Sequence, residues 1–135
     1  MQDDRDLYVS RRGKQWMMSC HAQPDVLTAV LSDLVDRLLH VRAMGEIYGK
    51  DPGEPIKKLE GFENLWESRV RHRAGRFRQF FRFTSVAGRP AAIAVDGVTK
   101  KGDLPHRELA TFNARLDRYE LELTDPATRN EDRVK

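Results

Sequence analysis

An α+β domain is the fold this sequence predicts: an N-terminal helix or helical hairpin packed on a small antiparallel sheet, closed by a C-terminal helix. Three observations predict it. Residues 24–44 carry Val26, Leu27, Val30, Leu31, Leu34, Val35, Leu38 and Leu39 at three- and four-residue spacing, which makes one broad apolar stripe. Residues 56–98 break into short aromatic and β-branched runs separated by Gly-containing turns. Residues 104–123 return to helical spacing through Leu109, Phe112, Leu116, Tyr119 and Leu123.

In chain order, residues 1–23 are expected to form a poorly defined extension. Positions 1–14 are polar and charged, and Gln15–Cys20 is apolar enough for a short strand. The domain proper is expected over 24–123. Pro24 suits a first helical turn and Gly45 a stop, with a second short helix able to break off near His40. Residues 45–55 hold three Gly and two Pro and read as a loop. Strands follow at Ile56–Leu59, Leu65–Arg73 and Arg76–Thr84, the last two joined at Ala74-Gly75. Val86–Pro90 is a second turn and Ala91–Val98 a further strand. Pro105 opens the last helix, and the polar tail 124–135 shows no pattern.

The charge is localised. Residues 56–82 hold eight basic and three acidic side chains, while the whole chain is only +3, so the remainder is net negative. A polyanion-binding surface needs that kind of concentration. Cys20 is the single cysteine, which excludes an intramolecular disulfide and a Cys-based zinc site and fits a reducing, cytoplasmic setting. No apolar run reaches the ~18 residues of a membrane span, and no secretory leader pattern opens the chain.

Strand parity sharpens the charge argument. Trp66, Ser68, Val70 and His72 share one face with Phe77, Phe81 and Phe83. Glu67, Arg69, Arg71, Arg73, Arg76, Arg78, Phe80 and Arg82 share the other. Burying the first set under the helices leaves six arginines together on an open face. Like charges facing each other across strands cost stability. Guanidinium groups keep their proton, and their planar fork matches phosphate oxygens. The face therefore predicts contact with a nucleic-acid backbone. The alternative is a solvated hairpin whose charge prevents edge-to-edge aggregation.

The ordered set of features resembles the RelE/ParE toxin superfamily, in particular its HigB-like, phage-derived branch. The carrying residues are Lys58-Leu59-Glu60-Gly61, Leu65-Trp66-Glu67-Ser68-Arg69, Arg76-Phe77-Arg78, the strand 91–98, Lys100-Lys101 and the helix led by Pro105. The resemblance implies a RelE-like, microbial-ribonuclease-like fold. It also implies the toxin of a type II toxin–antitoxin pair, an mRNA interferase acting at the ribosome. Its expected partners are mRNA, the ribosome and a HigA-like, DNA-binding antitoxin, with no membrane.

Metal-free RNA cleavage uses the neighbouring 2′-hydroxyl as nucleophile. The enzyme must help remove that proton, stabilise the phosphorane and protonate the leaving 5′-oxygen. No metal-ligand motif is visible, and no cofactor is expected. Arg78 is the candidate phosphate clamp, matching the family's strand arginine. Arg69 and Arg71 match basic family positions and are candidates for charge stabilisation, with an ion pair to Glu67 or Glu63 as the alternative role. Lys101 and His106 are candidate proton carriers, since arginine crowding favours a neutral amine and histidine suits neutral pH. Arg73, Arg76, Arg82, Lys100, Lys57 and Lys58 complete the expected RNA surface. Phe80 could stack a base. Asp96 either orients a basic residue or begins the turn before Gly97. Two rival readings stand beside the interferase: a non-catalytic or ParE-like member that acts on a protein partner, and a generic RNA-binding module.

Overall fold

The computed structural model describes residues 6–19, 56–72, 75–99 and 103–134, with residues 70–72 and 75–76 described by backbone alone. The expected helix over 24–44 and loop over 45–55 lie outside them. The elements are β1 (Asp6–Val9), α1 (Arg11–Ser19), β2 (Ile56–Lys58), β3 (Trp66–His72), β4 (Gly75–Val86), β5 (Arg89–Val98), α2 (His106–Glu122) and α3 (Pro126–Asp132). The strands form one sheet in the order β1-β5-β4-β3-β2.

The α+β class holds, but the sheet is mixed. β1 pairs parallel with β5, Leu7 opposite Ala92 and Val9 opposite Ala94. The polar lead-in expected at the N-terminus is thus partly a strand. Its four residues are buried on both faces, as suits a strand with helices above and below. Its charged flanks hid it, because alternation cannot be read over so short a run.

Gln15–Cys20 was expected to be a short strand; described as far as Ser19, it belongs to α1 instead. Gly13 and Met17, four apart, form the buried face. Ser10 caps the helix, its Oγ accepting from the Gly13 N–H at 2.9 Å. A glycine carries no apolar side chain, so this spacing was invisible to a hydrophobic pattern.

β2 to β5 follow the expected antiparallel meander. The β4–β5 hairpin turns at Ala87-Gly88, both with positive φ (53° and 77°), the geometry that matches strand twist in two-residue loops. A bulge interrupts β4–β5: Gln79 faces Gly97 and Phe81 faces Ala94, so β5 carries one residue more. At the bulge Gly97 lies so close to β4 that a Cβ there would overlap the Arg78 carbonyl oxygen.

Both faces of the sheet are covered. Leu7, Val9, Met17, Trp66, Phe77, Phe81 and Phe83 form one apolar cluster with Ala92 and Ala94. Phe80, Ile93 and Val95 form the other, with Phe112, Leu116, Tyr119 and Leu123. The parity reading placed Trp66, Phe77, Phe81 and Phe83 in the core, where they lie. It left Phe80 on an open face, yet Phe80 stacks on Phe112 with ring centres 4.3 Å apart. α2 covers the side expected to be open.

The tail read as patternless contains α3. Asp125 caps it, its Oδ1 accepting from the Ala127 N–H at 3.1 Å, and Pro126 stands at its start. Tyr119 donates to the buried Asp132 carboxylate at 2.9 Å, which ties α3 to α2. Beyond α3 the Val134 N–H donates to the Leu7 carbonyl at 2.8 Å, so the C-terminal residues cover the outer edge of β1.

Candidate nucleic-acid interface

The register of β2, β3 and β4 lines up the candidate residues. Lys57 faces Glu67, which faces Phe80. Arg69 faces Arg78, which faces Val98. Arg71 faces Arg76 in the next row. The like-charged rows that parity implied are therefore real neighbours along the strands.

Their charges are not all free. Glu67 is fully buried, and its two oxygens hold two guanidinium groups. Oε1 accepts from Arg69 Nε at 2.5 Å, and Oε2 lies 2.8 Å from both Nε and Nη2 of Arg78. Arg78 is itself buried, whereas the Arg69 side chain is 38% exposed. The triad carries a net single positive charge, presented to solvent through Arg69. A carboxylate that satisfies two cations at once is the form in which buried charge is tolerated. Arg78, expected at the centre of an open face, is thus a buried partner of Glu67, and Arg69 is the exposed member.

Arg82 departs further from the expectation. It is buried under α2, with Nη1 at 2.7 Å from Asp117 and 3.0 Å from Glu120. Its Nη2 donates to the Asn113 Oδ1 at 2.7 Å. It does not belong to an exposed RNA surface. Asn113, Asp117 and Glu120 recur at intervals of four and three on one side of α2, a signal present in the sequence but not paired with Arg82 by parity alone.

His106 is exposed at the first position of α2 and stacks on Phe62, ring centres 4.6 Å apart and nearly parallel. This sets it over the β2–β3 connection beside Gly61, whose positive φ of 87° shapes the turn. Lys57 is half-buried and Lys58 exposed on β2. Arg71 and Arg76 are placed by backbone only, and Arg73, Lys100 and Lys101 lie outside the described residues. Among the described residues no group of three or more His, Cys, Asp or Glu is arranged to hold a metal ion, and no helix is long and apolar enough to cross a membrane.

Asp96 does orient basic residues, though not those of the hairpin. Its Oδ2 accepts from Arg115 Nη1 on α2 at 2.7 Å and lies 3.3 Å from Arg12 Nε on α1. The β5 bulge sits beside it and re-aims the strand there. Burial, with the Asp132 carboxylate adding to it, holds the Tyr119 phenol above its ordinary pKa, so Tyr119 is a neutral donor.

No family model matches the chain, and no curated protein or solved structure matches it.

Proposed function

We propose that this chain is a RelE/HigB-like toxin that binds RNA across β2, β3 and β4 beside the start of α2 and cleaves it there. The observation that carries the reading is the Glu67 triad on the strands that bear the resemblance: a buried carboxylate fixing one buried and one solvent-facing guanidinium. A guanidinium held by a rigid partner is pre-organised for charge that develops on phosphate, worth roughly 10²–10³ in rate for a well-aimed donor. Arg69 is then the group that meets phosphate. Arg78 acts through Glu67 as a positioning residue rather than as the clamp.

In the proposed reaction the 2′-hydroxyl oxygen bonds to phosphorus, the bond from phosphorus to the 5′-oxygen breaks, and that oxygen takes a proton. His106, exposed and oriented by Phe62, is the proposed donor to the 5′-oxygen. Lys101 is the proposed acceptor of the 2′-hydroxyl proton. Arg71, Arg73, Arg76, Lys57, Lys58 and Lys100 extend the phosphate contacts. The proposed partners are the ribosome and an antitoxin that covers this face, in the cytoplasm.

The test is controlled bacterial expression of the wild type, Arg69→Ala and His106→Ala, with mRNA ends mapped by primer extension. New cuts and growth arrest that both variants lose support the reading, provided the variants keep the wild-type melting temperature. The second reading, a non-catalytic or ParE-like member acting on a protein partner, draws on one observation: α2 and its acids neutralise part of the arginine face. Normal growth with no cuts under abundant wild-type protein favours it.

A further inference from the structure

The connection between β2 and β3 is tied down at its base and on its flank. The Leu59 N–H donates to the Leu65 carbonyl at 2.8 Å, which closes the loop. Asn64 commits both ends of its amide to one residue of β4. Its Nδ2 donates to the Phe83 carbonyl at 2.5 Å, and its Oδ1 accepts from the Phe83 N–H at 3.3 Å. These bonds pin the loop to the sheet and fix where its tip, Gly61-Phe62, stands.

The tip meets His106 on two sides. Phe62 is half-buried against the apolar cluster under α2. It lies flat on one face of the imidazole, 15° from parallel with ring centres 4.6 Å apart. Gly61 closes on an edge of the same ring. A Cβ at that position would stand 3.3 Å from Cε1 and 3.5 Å from Nδ1, with Nε2 farther off. Glycine is needed there twice, for its φ of 87° and for the room it leaves the ring.

Folding alone does not call for this hold. Fixing an exposed side chain removes rotamer freedom, which opposes folding. A structural imidazole is normally fixed through its nitrogens, but neither ring nitrogen of His106 has a hydrogen-bond partner among the described residues. Glu60 and Glu63 beside the tip are exposed, so this end of the loop carries acid and makes no phosphate contact of its own. What the loop contributes is the direction of one ring.

We infer that the β2–β3 loop is a positioning device for His106, a role that rests on the cleavage proposed above. Asn64 anchors the loop, Phe62 sets the plane of the imidazole, and Gly61 admits its Nδ1–Cε1 edge and leaves Nε2 turned away from the loop. None of the three needs to touch RNA.

Single-turnover cleavage of an mRNA, free and ribosome-bound, by the full chain tests this. It separates the rate of cutting at saturation from the concentration that half-saturates it. Phe62→Leu keeps an apolar side chain and loses the flat ring. It is expected to slow cutting about tenfold or more, part of the ~10²–10⁴ that a positioned proton donor supplies, and to leave half-saturation within about twofold. Phe62→Tyr restores the ring and is expected to recover most of that loss. Asn64→Ala removes the anchor, leaves both rings, and is expected to slow cutting in the same way. Made in a His106→Ala background, Phe62→Leu and Asn64→Ala are expected to change the rate by less than about twofold, because nothing is left for them to position. A general loosening of the fold would slow both backgrounds alike. Losses of equal size with and without His106, or full speed in Phe62→Leu, overturn the inference and leave the cleavage reading standing. A wild type that cuts neither form of the mRNA overturns both.

Discussion

Replacing Glu67 by glutamine removes one charge and almost no volume, so it isolates the electrostatics of the triad. Glu67 is fully buried and Arg78 nearly so, with three nitrogen–oxygen contacts of 2.5 to 2.8 Å between the carboxylate and its two arginines. The glutamine carbonyl can still accept from one guanidinium, but its amide then faces the other, donor against donor. Arg78, still buried, loses the carboxylate that holds two of its nitrogens, and removing one partner of a buried pair costs about 3–5 kcal/mol. Arg69 adds little, since its side chain is 38% exposed and exposed pairs are worth about 0–1 kcal/mol. Against a total stability of about 5–15 kcal/mol, the loss is large. At about 4 °C per kcal/mol for a chain of this size, the melting temperature is expected to fall by about 12–20 °C. Urea unfolding followed by far-UV circular dichroism measures it directly, with the m-value checking that the same surface unfolds. A companion variant, Glu67→Met with Arg78→Met, is expected to recover most of the loss, because an apolar pair replaces the broken one. A loss under about 1 kcal/mol for Glu67→Gln at constant m would refute the account, and with it the claim that Glu67 fixes Arg69.

Gly97→Ala is expected to destabilise by about 3 kcal/mol or more, because its Cβ would overlap the Arg78 carbonyl oxygen and push β5 off β4; a melting curve within 2 °C of wild type, on the scale of ~4 °C per kcal/mol, would show that the bulge is not held this tightly. For Tyr119, the folded-state pKa lies above the unfolded value near 10, so stability is full below pH ~10 and falls above it by about 1.4 kcal/mol per unit, as the unfolded chain sheds the proton first. Tyr119→Phe is expected to remove that alkaline slope while costing about 1–3 kcal/mol at neutral pH, through the donor lost to buried Asp132, measured by urea unfolding at pH 7 to 11. Arg82→Met is expected to change stability by no more than about 1 kcal/mol in the same assay. The acids it leaves, Asp117 and Glu120, are 63% and 37% exposed at the side chain and rehydrate.

What could be read from the sequence was whatever local period determines. The strands from Ile56 to Val98, their alternation and the apolar stripe of α2 all appear where spacing placed them, because aromatic and β-branched residues dominate those segments. β1 and α1 escaped. One is four residues long, and the other buries a glycine where a hydrophobic residue was sought. The error at the candidate site had a different origin. Parity correctly sorted Glu67, Arg69, Phe80 and Arg82 onto one face, but parity does not say whether a face is covered. That depends on where α2 docks, and the clue lay some 30 residues away in Asn113, Asp117 and Glu120. A polar row on a helix facing an arginine on a strand is a long-range match that no single-segment pattern contains.

That match also bears on how α2 positions His106. An apolar stripe such as Phe112, Leu116 and Tyr119 repeats nearly every turn, so packing alone tolerates a slip of one turn along the sheet. Arg82 breaks that degeneracy. Its two terminal nitrogens reach Asn113, Asp117 and Glu120, three successive rungs on one side of the helix, and a slip would break these bonds while leaving a buried guanidinium unpaired. Since Arg82 sits against exposed acids that lose little when freed, its contribution is register more than stability, a role best attested for isolated polar groups in apolar interfaces. Register at Asn113 sets the height of His106, two turns earlier, against Phe62. Arg82→Met is therefore expected to weaken the contacts between the Phe62 and His106 rings, seen as lost cross-peaks in a nuclear Overhauser spectrum, while the melting temperature barely moves. Cross-peaks of undiminished intensity in the variant would mean that apolar packing alone places α2, and Arg82 would then be only a buried charge that the fold tolerates.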